Sequence, residues 1–372
     1  MEKRLRFLLV AILGLSLVRC NTGDQELMLV GTYTNTDSKG IYVFNFNSSD
    51  GTLTELSTMS GIENPSYVTS FGNHVYAVSE TGGETPGSIF SYKLDRKSGA
   101  LTLLGSQLTG GDDPCYAEAD SSGSFVAVAN YSGGSVALFR TDSKGALENE
   151  KQLVQHIGSG ADPERQQGPH AHQAVFTPDQ SYLLVPDLGK DRIMIYRFAR
   201  GADMNLVYSG EVVCDPGSGP RHLAFHPSGR WFYLINELKP VIEVYQFDKG
   251  QAAFLQRIRT TAAVEGNNDG AEVKVSPDGK FLYSSQRRDD NTIGIYAIDQ
   301  QTGQLTGNRF VSCGGTGPRD FNIDPSGKFL IVANQKSNNI VVFRIDKKSG
   351  GLTQKHDIAV PIPVSINFVT QE

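Results

Sequence analysis

Short apolar runs alternate with turn residues along almost the whole chain. The strongest runs cover residues 125–129, 231–235 and 329–333, and a turn centred on glycine precedes each of them. Other runs, such as residues 241–247, alternate apolar and polar positions. Runs of this kind between turn residues predict β-strands joined as hairpins, because glycine readily supplies the positive φ that tight turns need. No helical period persists, so we predict an all-β fold.

The strands recur as a repeat. Related phrases open seven segments at spacings of 45 to 55 residues, and the segments begin at Asn64, Asp113, Gly168, Gly219, Gly270, Gly317 and Ile362. Each full segment contains a first strand, a strongly apolar second strand, an alternating third strand and a fourth strand that leads to the next segment. This is the period of a propeller blade. We therefore predict a seven-bladed β-propeller with four antiparallel strands per blade.

The two ends of the repeat complement each other. Residues 27–32 have the pattern of the second strand of a unit, and residues 364–369 have that of a first strand. Pairing of these N- and C-terminal strands would complete one blade and close the ring, leaving no long open edge. No shift in composition marks a second domain, so we expect one propeller domain over residues 27–372.

The first 20 residues have the pattern of a signal peptide. Lys3, Arg4 and Arg6 precede an apolar stretch at residues 7–18 that is too short for a membrane span. Cys20 follows directly, as in a bacterial lipoprotein signal, although Arg19 stands where a small residue is usual. The alternative is an ordinary signal peptide with a chance cysteine. We predict export, to the periplasm or as a lipid-anchored protein, and a cytoplasmic location only if the leader is not functional.

Charge and cysteine content exclude some classes of function. The net charge is −6; removing the leader takes away four basic residues and one acidic residue and leaves −9. Such a chain is a poor nucleic-acid binder. Without Cys20, three evenly spaced cysteines remain, which give neither a complete disulfide framework nor a CxxC motif. We predict no cofactor, and membrane contact only through a lipid anchor.

Candidate chemistry concentrates at one end of the predicted hairpins. The stretch GPRHLAFHPSGRWFYLINEL from Gly219 brings Arg221, His222 and Glu237 together, because the start of a first strand and the end of the second lie at the same face. The same rule places further residues at this face: Ser66, Glu80, Cys115, Asn130, Tyr131, His170, His172, Asp187, Glu272, Arg287, Arg288, Arg319, Asp320, Asn334 and Gln335. Imidazole, guanidinium and carboxylate groups around one mouth indicate a site for an anionic small molecule.

The histidine pair needs separate consideration. His170 and His172 alternate with a period of two, so we expect both rings on one side of a strand. A metal site would need Asp187 or Glu237 as a third ligand, and the neighbouring arginines would repel a cation; we therefore predict no metal. His226 lies in a turn at the opposite face, where we expect a structural role.

Three long motifs resemble one family. HIGSGADPERQQGPHAHQAVFTPDQSYLLVPDLGKDRI from His156, GPRHLAFHPSGRWFYLINEL, and SPDGKFLYSSQRRDDNTIGIY from Ser276 are similar to the lactonase family of seven-bladed propellers. That family includes propeller-type 6-phosphogluconolactonases and carboxy-cis,cis-muconate cyclases. The resemblance implies a metal-free enzyme that acts on a lactone carrying a carboxylate or phosphate. Arg288-Asp289 stands where the family more often has Gly-His.

The resemblance also implies roles for individual residues. The family's active histidine, two arginines and glutamate correspond to His172, Arg221, Arg287 and Glu237, which we predict to be catalytic. As substrate-binding residues we predict His170, His222, Glu272 and Arg319. Either Glu237 or His172 would be the general base, and the arginines would stabilise an oxyanion and hold a remote anion.

The predicted activity is hydrolysis of a sugar-acid lactone, such as 6-phospho-D-glucono-1,5-lactone to 6-phosphogluconate, or of a related aldonolactone. One alternative is a muconate-type lactonising or isomerising enzyme, which would use the same arginines without consuming water. Another is a non-catalytic exported propeller that binds sugar acids or glycans. Export favours an unphosphorylated ligand, because phosphorylated sugar lactones are cytoplasmic metabolites.

Overall fold

The computed structural model describes residues 25–201, 205–261 and 269–370, so the predicted leader and Cys20 lie outside it. The described residues form 28 strands, arranged as seven antiparallel sheets of four strands each. The only helical element in these ranges is a 3-10 turn at Leu188–Lys190. The predicted all-β, seven-bladed propeller is therefore confirmed.

The strands follow the predicted units closely. The blade closed by both termini contains β1 (Gln25–Thr32), β2 (Gly40–Asn47), β3 (Leu53–Ser60) and β28 (Pro363–Phe368). The next three blades contain β4 (Val68–Phe71), β5 (His74–Ser79), β6 (Ser88–Leu94), β7 (Leu101–Leu108); β8 (Pro114–Ala119), β9 (Phe125–Asn130), β10 (Ser135–Thr141), β11 (Leu147–Gln155); and β12 (Val175–Phe176), β13 (Tyr182–Asp187), β14 (Arg192–Ala199), β15 (Asn205–Val213).

The last three blades have the same composition. They contain β16 (Pro220–Phe225), β17 (Trp231–Asn236), β18 (Val241–Asp248), β19 (Gln251–Arg259); β20 (Gly270–Val275), β21 (Phe281–Gln286), β22 (Thr292–Ile298), β23 (Leu305–Ser312); and β24 (Pro318–Ile323), β25 (Phe329–Asn334), β26 (Asn339–Ile345), β27 (Leu352–Ala359). In every blade the first strand lies innermost, and successive innermost strands β16, β20, β24, β28, β4 and β8 contact one another around the axis.

Pairing of the two terminal strands closes the ring as predicted. β28 pairs antiparallel with β1, with Phe368 opposite Met28 and Ile366 opposite Val30. The closing blade is therefore held by the same backbone hydrogen bonds as the other six blades.

The core lies between the blades. Seven clusters of buried apolar side chains fill the spaces between adjacent sheets. Beside the closing blade, the Phe46 ring contacts Phe329 and Phe368 edge-on, with ring centres 5.7 and 5.2 Å apart. This is a favourable aromatic geometry, and it ties β24–β27 to the closing blade.

The turn residues at the face opposite the predicted mouth are structural. Gly279 has φ +73°, and a Cβ at this position would lie 2.6 Å from His226 Nε2. That nitrogen lies 3.1 Å from the Gly279 carbonyl oxygen, and Nδ1 lies 2.8 Å from Ser228 Oγ. His226 therefore links the turns of two neighbouring blades, which agrees with the structural role expected for it.

One local prediction is wrong. His170 and His172 lie before β12 in an irregular segment, where only Ala171 forms an isolated bridge with Asp187. The period of two therefore does not arise from a strand at this position. Among the described residues no helix is long and apolar enough to cross a membrane.

Candidate active site

A cleft of about 390 Å³ opens at the predicted mouth of the ring, a size usual for small-molecule sites. Side chains of all seven blades line it: Tyr33, Glu80, Tyr131, Arg165, His172, Glu237, Asp269, Arg287, Arg288 and Arg319. Four arginines against three carboxylates make the cleft basic in a chain that is acidic as a whole. The cleft therefore attracts anions.

Glu237 is surrounded by three arginines, which we call the arginine cluster (Arg165, Arg221 and Arg287). Glu237 Oε2 accepts hydrogen bonds from Arg287 Nη2 at 2.8 Å and from Arg221 Nε at 3.1 Å, and Oε1 accepts one from Arg165 Nη2 at 2.6 Å. Burial opposes ionisation of Glu237, but the charges of Arg287 and Arg221 outweigh it and hold the pKa of the carboxyl well below its ordinary value. Because the three arginines also occupy both carboxylate oxygens, Glu237 is a poor proton acceptor.

β-bulges determine the direction in which the side chains of Arg221 and Arg319 leave their strands. The register shifts at the start of two innermost strands, between Pro220 and His222 in β16 and between Pro318 and Asp320 in β24. Such bulges re-aim side chains and are frequent beside active sites. Arg221 and Arg319 are the residues between the two shifted partners, so each leaves its strand where the strand meets the mouth.

Arg165 reaches the cluster from an irregular loop between β11 and β12. The neighbouring Gln166 fixes this loop, because its Nε2 donates to the Leu188 carbonyl oxygen and to Asp191 Oδ1, both at 2.7 Å. Arg165 Nη2 also contacts Tyr131 Oη at 3.3 Å. The Arg165 side chain is 35% exposed, compared with 2% for Arg221, so it covers the cluster from the solvent side.

His172 lines the cleft with one ring nitrogen already occupied. Its Nδ1 lies 3.2 Å from His222 Nε2 and 3.8 Å from Cys115 Sγ, which leaves Nε2 as the nitrogen available to a ligand. Burial and the charges of Arg221, His222 and Arg319 hold the pKa of His172 well below its ordinary value. The imidazole is therefore neutral at pH 7.

Arg319 forms no salt bridge with any carboxylate in the described part of the chain. Its guanidinium carbon lies 5.3 Å from the centre of the Tyr33 ring, and the Tyr33 hydroxyl donates to Glu80 Oε1 at 2.8 Å. Within the described residues the Arg319 side chain forms no hydrogen bond or salt bridge, although the charges of Glu80 and Glu237 attract it. An enclosed guanidinium without such a partner is a ready donor to a ligand oxygen.

Beneath the cleft lies a second layer of ionisable groups around the axis. His222 Nδ1 lies 2.7 Å from Glu272 Oε2, and Lys274 Nζ lies 3.5 Å from Glu272 Oε1. Asp320 Oδ2 accepts the Ile366 backbone N–H at 2.6 Å. Only a very small void separates this layer from His172 and Arg319, so a substrate in the cleft would not reach it directly.

Known proteins match this chain over nearly its whole length. The model of the family described as "Lactonase, 7-bladed beta-propeller" matches residues 27–368. The chain belongs to this lactonase family. A 6-phosphogluconolactonase from Bacillus subtilis is 35% identical over 92% of this chain and 98% of its own length, and one from Formosa agariphila is 37% identical over 87% and 94%. The structure of a periplasmic gluconolactonase from Pseudomonas aeruginosa superposes with a TM-score of 0.88, at 35% identity over 94% of this chain and 100% of that one.

The structure of this lactonase brings the four predicted catalytic residues to one opening, but at different depths. Glu237, Arg287 and His172 line the cleft, whereas Arg221 lies beneath it with Nε on Glu237 and Nη1 donating to the Ala271 carbonyl oxygen at 2.7 Å. Two N–H groups of Arg221 are thus bound to the protein.

The four predicted substrate-binding residues divide in the same way. Arg319 lines the cleft, and His222 and Glu272 lie in the buried layer. The His170 ring stacks on Tyr131, with centres 4.5 Å apart, and its Nδ1 lies 3.1 Å from the Tyr131 carbonyl oxygen. His170 therefore packs behind Tyr131 and is not among the residues that line the cleft.

Other residues predicted at the mouth hold loops in place. Asp187 Oδ2 lies 2.6 Å from His156 Nδ1, and its Oδ1 accepts the His170 N–H at 2.7 Å. Asn130 Nδ2 donates to Ser135 Oγ at 3.0 Å. In the described ranges no group of three or more His, Cys, Asp or Glu side chains is arranged to hold a metal ion. Cys115, Cys214 and Cys313, the cysteines of these ranges, are buried and not disulfide-bonded.

Three residues of the cleft were missing from the sequence-based set. Tyr33 directly follows β1, the second strand of the closing blade, and Asp269 directly precedes β20, so the rule that found Arg221 and Glu237 also applies to them. Arg165 follows no such rule. Its only signal is the spacing of 55 residues between Asp113 and Gly168, the longest in the repeat, which indicates an extra loop.

A larger cavity of about 570 Å³ lies at the opposite face beside the closing blade. It is lined by Gln25, Glu26, Leu27, Asn45, Arg96, Pro325, Phe368, Val369 and Thr370. No histidine lines it, and Arg96 is already bound to backbone carbonyl oxygens of Gly72 and Thr370. The chemistry of a lactonase therefore favours the smaller cleft at the mouth.

Proposed function

We propose that this protein hydrolyses the ring ester of a sugar-acid lactone, either 6-phospho-D-glucono-1,5-lactone or an unphosphorylated aldonolactone. Family membership and the relatives named as 6-phosphogluconolactonase and gluconolactonase support this activity. The observation that carries the proposal is the pairing, in one basic cleft, of a neutral His172 with an Arg319 that forms no salt bridge within the described residues.

In the proposed reaction His172 is the general base. Its Nε2 accepts a proton from a water molecule while the water oxygen bonds to the lactone carbonyl carbon, and the carbonyl electron pair moves to oxygen. The bond from this carbon to the ring oxygen then breaks, and the proton on Nε2 passes to the departing alkoxide. His172 ends neutral, as it began. Glu237 is assigned no proton transfer, because three arginines hold it ionised.

Arg319 is the proposed donor to the developing oxyanion. His172 and Arg319 line both the cleft and the small void beneath it, so they are neighbours at the inner wall. A single oxyanion donor contributes roughly 3 kcal/mol to lowering a barrier. Arg287 and Arg288, at the outer side near Asp269, would attract the carboxylate or phosphate of the substrate. In this arrangement the ion pair between Arg221 and Glu237 holds Arg287 in place and makes no direct contribution to the proton transfer.

The direct test is pH-stat hydrolysis of a panel of phosphorylated and free aldonolactones by the protein without residues 1–20. Spontaneous ring opening is measured in parallel and subtracted, with heat-unfolded protein as a second control. We expect saturable turnover of at least one lactone. Absence of turnover across the panel, together with cyclisation or isomerisation of a muconate, would favour the alternative reaction; ligand binding without any turnover would favour a non-catalytic role.

We also propose export of this lactonase and attachment through Cys20. The basic and apolar stretches of residues 1–20 and the periplasmic relative support this location. Fractionation of cells that express the full chain and a Cys20→Ser variant tests it. The full chain should be in the membrane fraction and the variant should not, whereas recovery of both from the cytoplasm would contradict export.

A further inference from the structure

A continuous row of hydrogen bonds runs from the cleft to the axis of the ring. His172 Nδ1 lies 3.2 Å from His222 Nε2, and His222 Nδ1 lies 2.7 Å from Glu272 Oε2. The exposed fraction is 5% for His172, 3% for His222 and zero for Glu272. The three residues come from three adjacent blades, so their alignment depends on the packing of these blades against one another.

The charge of Glu272 sets the direction of these hydrogen bonds. Burial raises the pKa of Glu272, but the charges of Lys274 and His222 outweigh it and leave the pKa well below the ordinary value, so the carboxylate accepts. His222 must then donate from Nδ1, and its unprotonated Nε2 accepts from Nδ1 of His172. Burial lowers the pKa of His222 to about 4, although Glu272 acts in the opposite direction.

The groups around this row of hydrogen bonds keep Glu272 as the acceptor and so keep the direction of donation from His172 to Glu272. Glu272 Oε1 also accepts the Val273 N–H at 2.9 Å and faces Lys274 Nζ. Burial and the Glu272 charge raise the pKa of Asp320 well above its ordinary value, so Asp320 adds no second negative charge. Arg221, Arg319, Cys115 and Tyr131 are the other polar or charged groups that face His172.

We infer that His222 and Glu272 are positioning residues: they hold His172 with Nδ1 protonated and Nε2 free to act as the proton acceptor in the cleft. This inference rests on the proposed function and changes the role of two residues that the sequence assigned to substrate binding. When Nε2 takes the proton from water, Glu272 stabilises the resulting imidazolium through His222. When the proton passes to the departing ring oxygen, the row returns to its original state.

Two substitutions at one position test the role of His222. In His222→Gln the amide oxygen can accept from His172 Nδ1 while the amide nitrogen donates to Glu272, so the polarity of the row is kept in a side chain that does not titrate. His222→Leu has a similar size but breaks both contacts. We expect kcat to fall about 100-fold or more in the Leu variant with KM within about threefold, and to stay within about tenfold of wild type in the Gln variant.

Wild-type kcat in the folded Leu variant, or equal losses in the folded Gln and Leu variants, would overturn the inference. Glu272→Gln is a second test, since it keeps an acceptor for His222 but removes the charge. We expect an intermediate loss of kcat and a shift of the acid limb of the rate profile to lower pH, because the imidazolium loses its counter-charge. An unchanged profile would contradict the role of Glu272.

A measurement on the unmodified protein does not depend on folding of a variant. Long-range ¹H–¹⁵N spectra of protein labelled at histidine, assigned with a His172→Gln sample, report which nitrogen of His172 carries the proton. We expect protonation at Nδ1 at pH 7. Protonation at Nε2 in an active wild-type protein would reject this inference alone, whereas absence of turnover by the wild type would reject the proposed function itself.

Discussion

Arg221 Nε donates to Glu237 Oε2 across 3.1 Å, between the first strand of one hairpin and the residue that follows the second. Arg287 from the next blade and Arg165 from a loop complete the contacts of this carboxylate. The carboxylate is 7% exposed in its side chain. The arginine cluster therefore depends on one buried negative charge, and this dependence has consequences for stability.

Glu237→Gln should destabilise the fold strongly at neutral pH. Removing one partner of a buried ion pair costs about 3–5 kcal/mol, because the remaining charge stays buried. The folded-state pKa of Glu237 is depressed, so its contribution is fully present above the unfolded pKa of about 4.3 and is lost as the pH falls below that value. Urea unfolding at pH 7 and at pH 3.5 should show a smaller difference between variant and wild type at the lower pH.

Glu211→Gln is the matched control for this prediction. Glu211 pairs with Arg192 at 3.2 Å, but both side chains are about one-third exposed, and exposed pairs contribute only about 0–1 kcal/mol. Equal losses of stability in the two variants would contradict the buried role of Glu237.

Arg319→Gln should lower kcat about 100-fold while the protein remains folded, because it removes the proposed donor to the oxyanion. Steady-state kinetics on the best lactone of the panel measure the effect. Arg288→Gln is the control, since Arg288 Nε contacts Asp269 and is assigned only attraction of the substrate anion; its effect should fall mainly on KM. Wild-type kcat in Arg319→Gln would remove the assignment.

The plot of kcat/KM against pH for the wild type should show no decrease near pH 6.5, where an ordinary histidine becomes protonated. Burial and the charges of Arg221, His222 and Arg319 keep the pKa of His172 low, so kcat/KM should stay level down to at least about one unit below the ordinary histidine value. In Arg319→Gln one of these charges is gone, and the acid limb should move to higher pH. A wild-type limb near 6.5, or a shift to lower pH in the variant, would disagree with this environment.

Asp320→Asn should be nearly silent. Asp320 is 4% exposed, and burial together with the charge of Glu272 keeps its carboxyl neutral; asparagine is therefore close to an isostere. Thermal and urea unfolding should differ from wild type by about 1 kcal/mol or less. Glu272→Gln is the contrast, since it removes an ionised carboxylate from its partners and should cost about 3–5 kcal/mol. The reverse order would show that the charges of the two carboxyls are exchanged.

The sequence was sufficient for the ring and for most of the mouth. Hydrophobic period, turn residues and repeat length determine the blades, and hairpin geometry places Arg221, Glu237, Arg287 and Arg319 at one opening. Tyr33 and Asp269 obey the same geometry and could have been included.

The depth of each side chain in the mouth and the direction in which it points were not predictable from the sequence in this way. Bulges at the start of β16 and β24 decide which side chains leave the strand; both lie in a Gly-Pro-Arg phrase, but strand periodicity alone does not identify that phrase as a bulge. His222 was therefore placed with the substrate although it lies in the buried layer. Arg165 depends on the path of an irregular loop, which is fixed by contacts of Gln166 with distant Asp191 and Leu188. Contacts of this kind arise only once the fold has formed.

The measurement that tests the account most directly is single-turnover hydrolysis by His172→Gln at pH 7, on the lactone that the wild type turns over best. Loss of the general base should lower the rate about 10²- to 10⁴-fold, with substrate affinity and thermal stability close to wild type. A His172→Gln protein that is folded, binds the lactone and hydrolyses it at the wild-type rate would contradict the account.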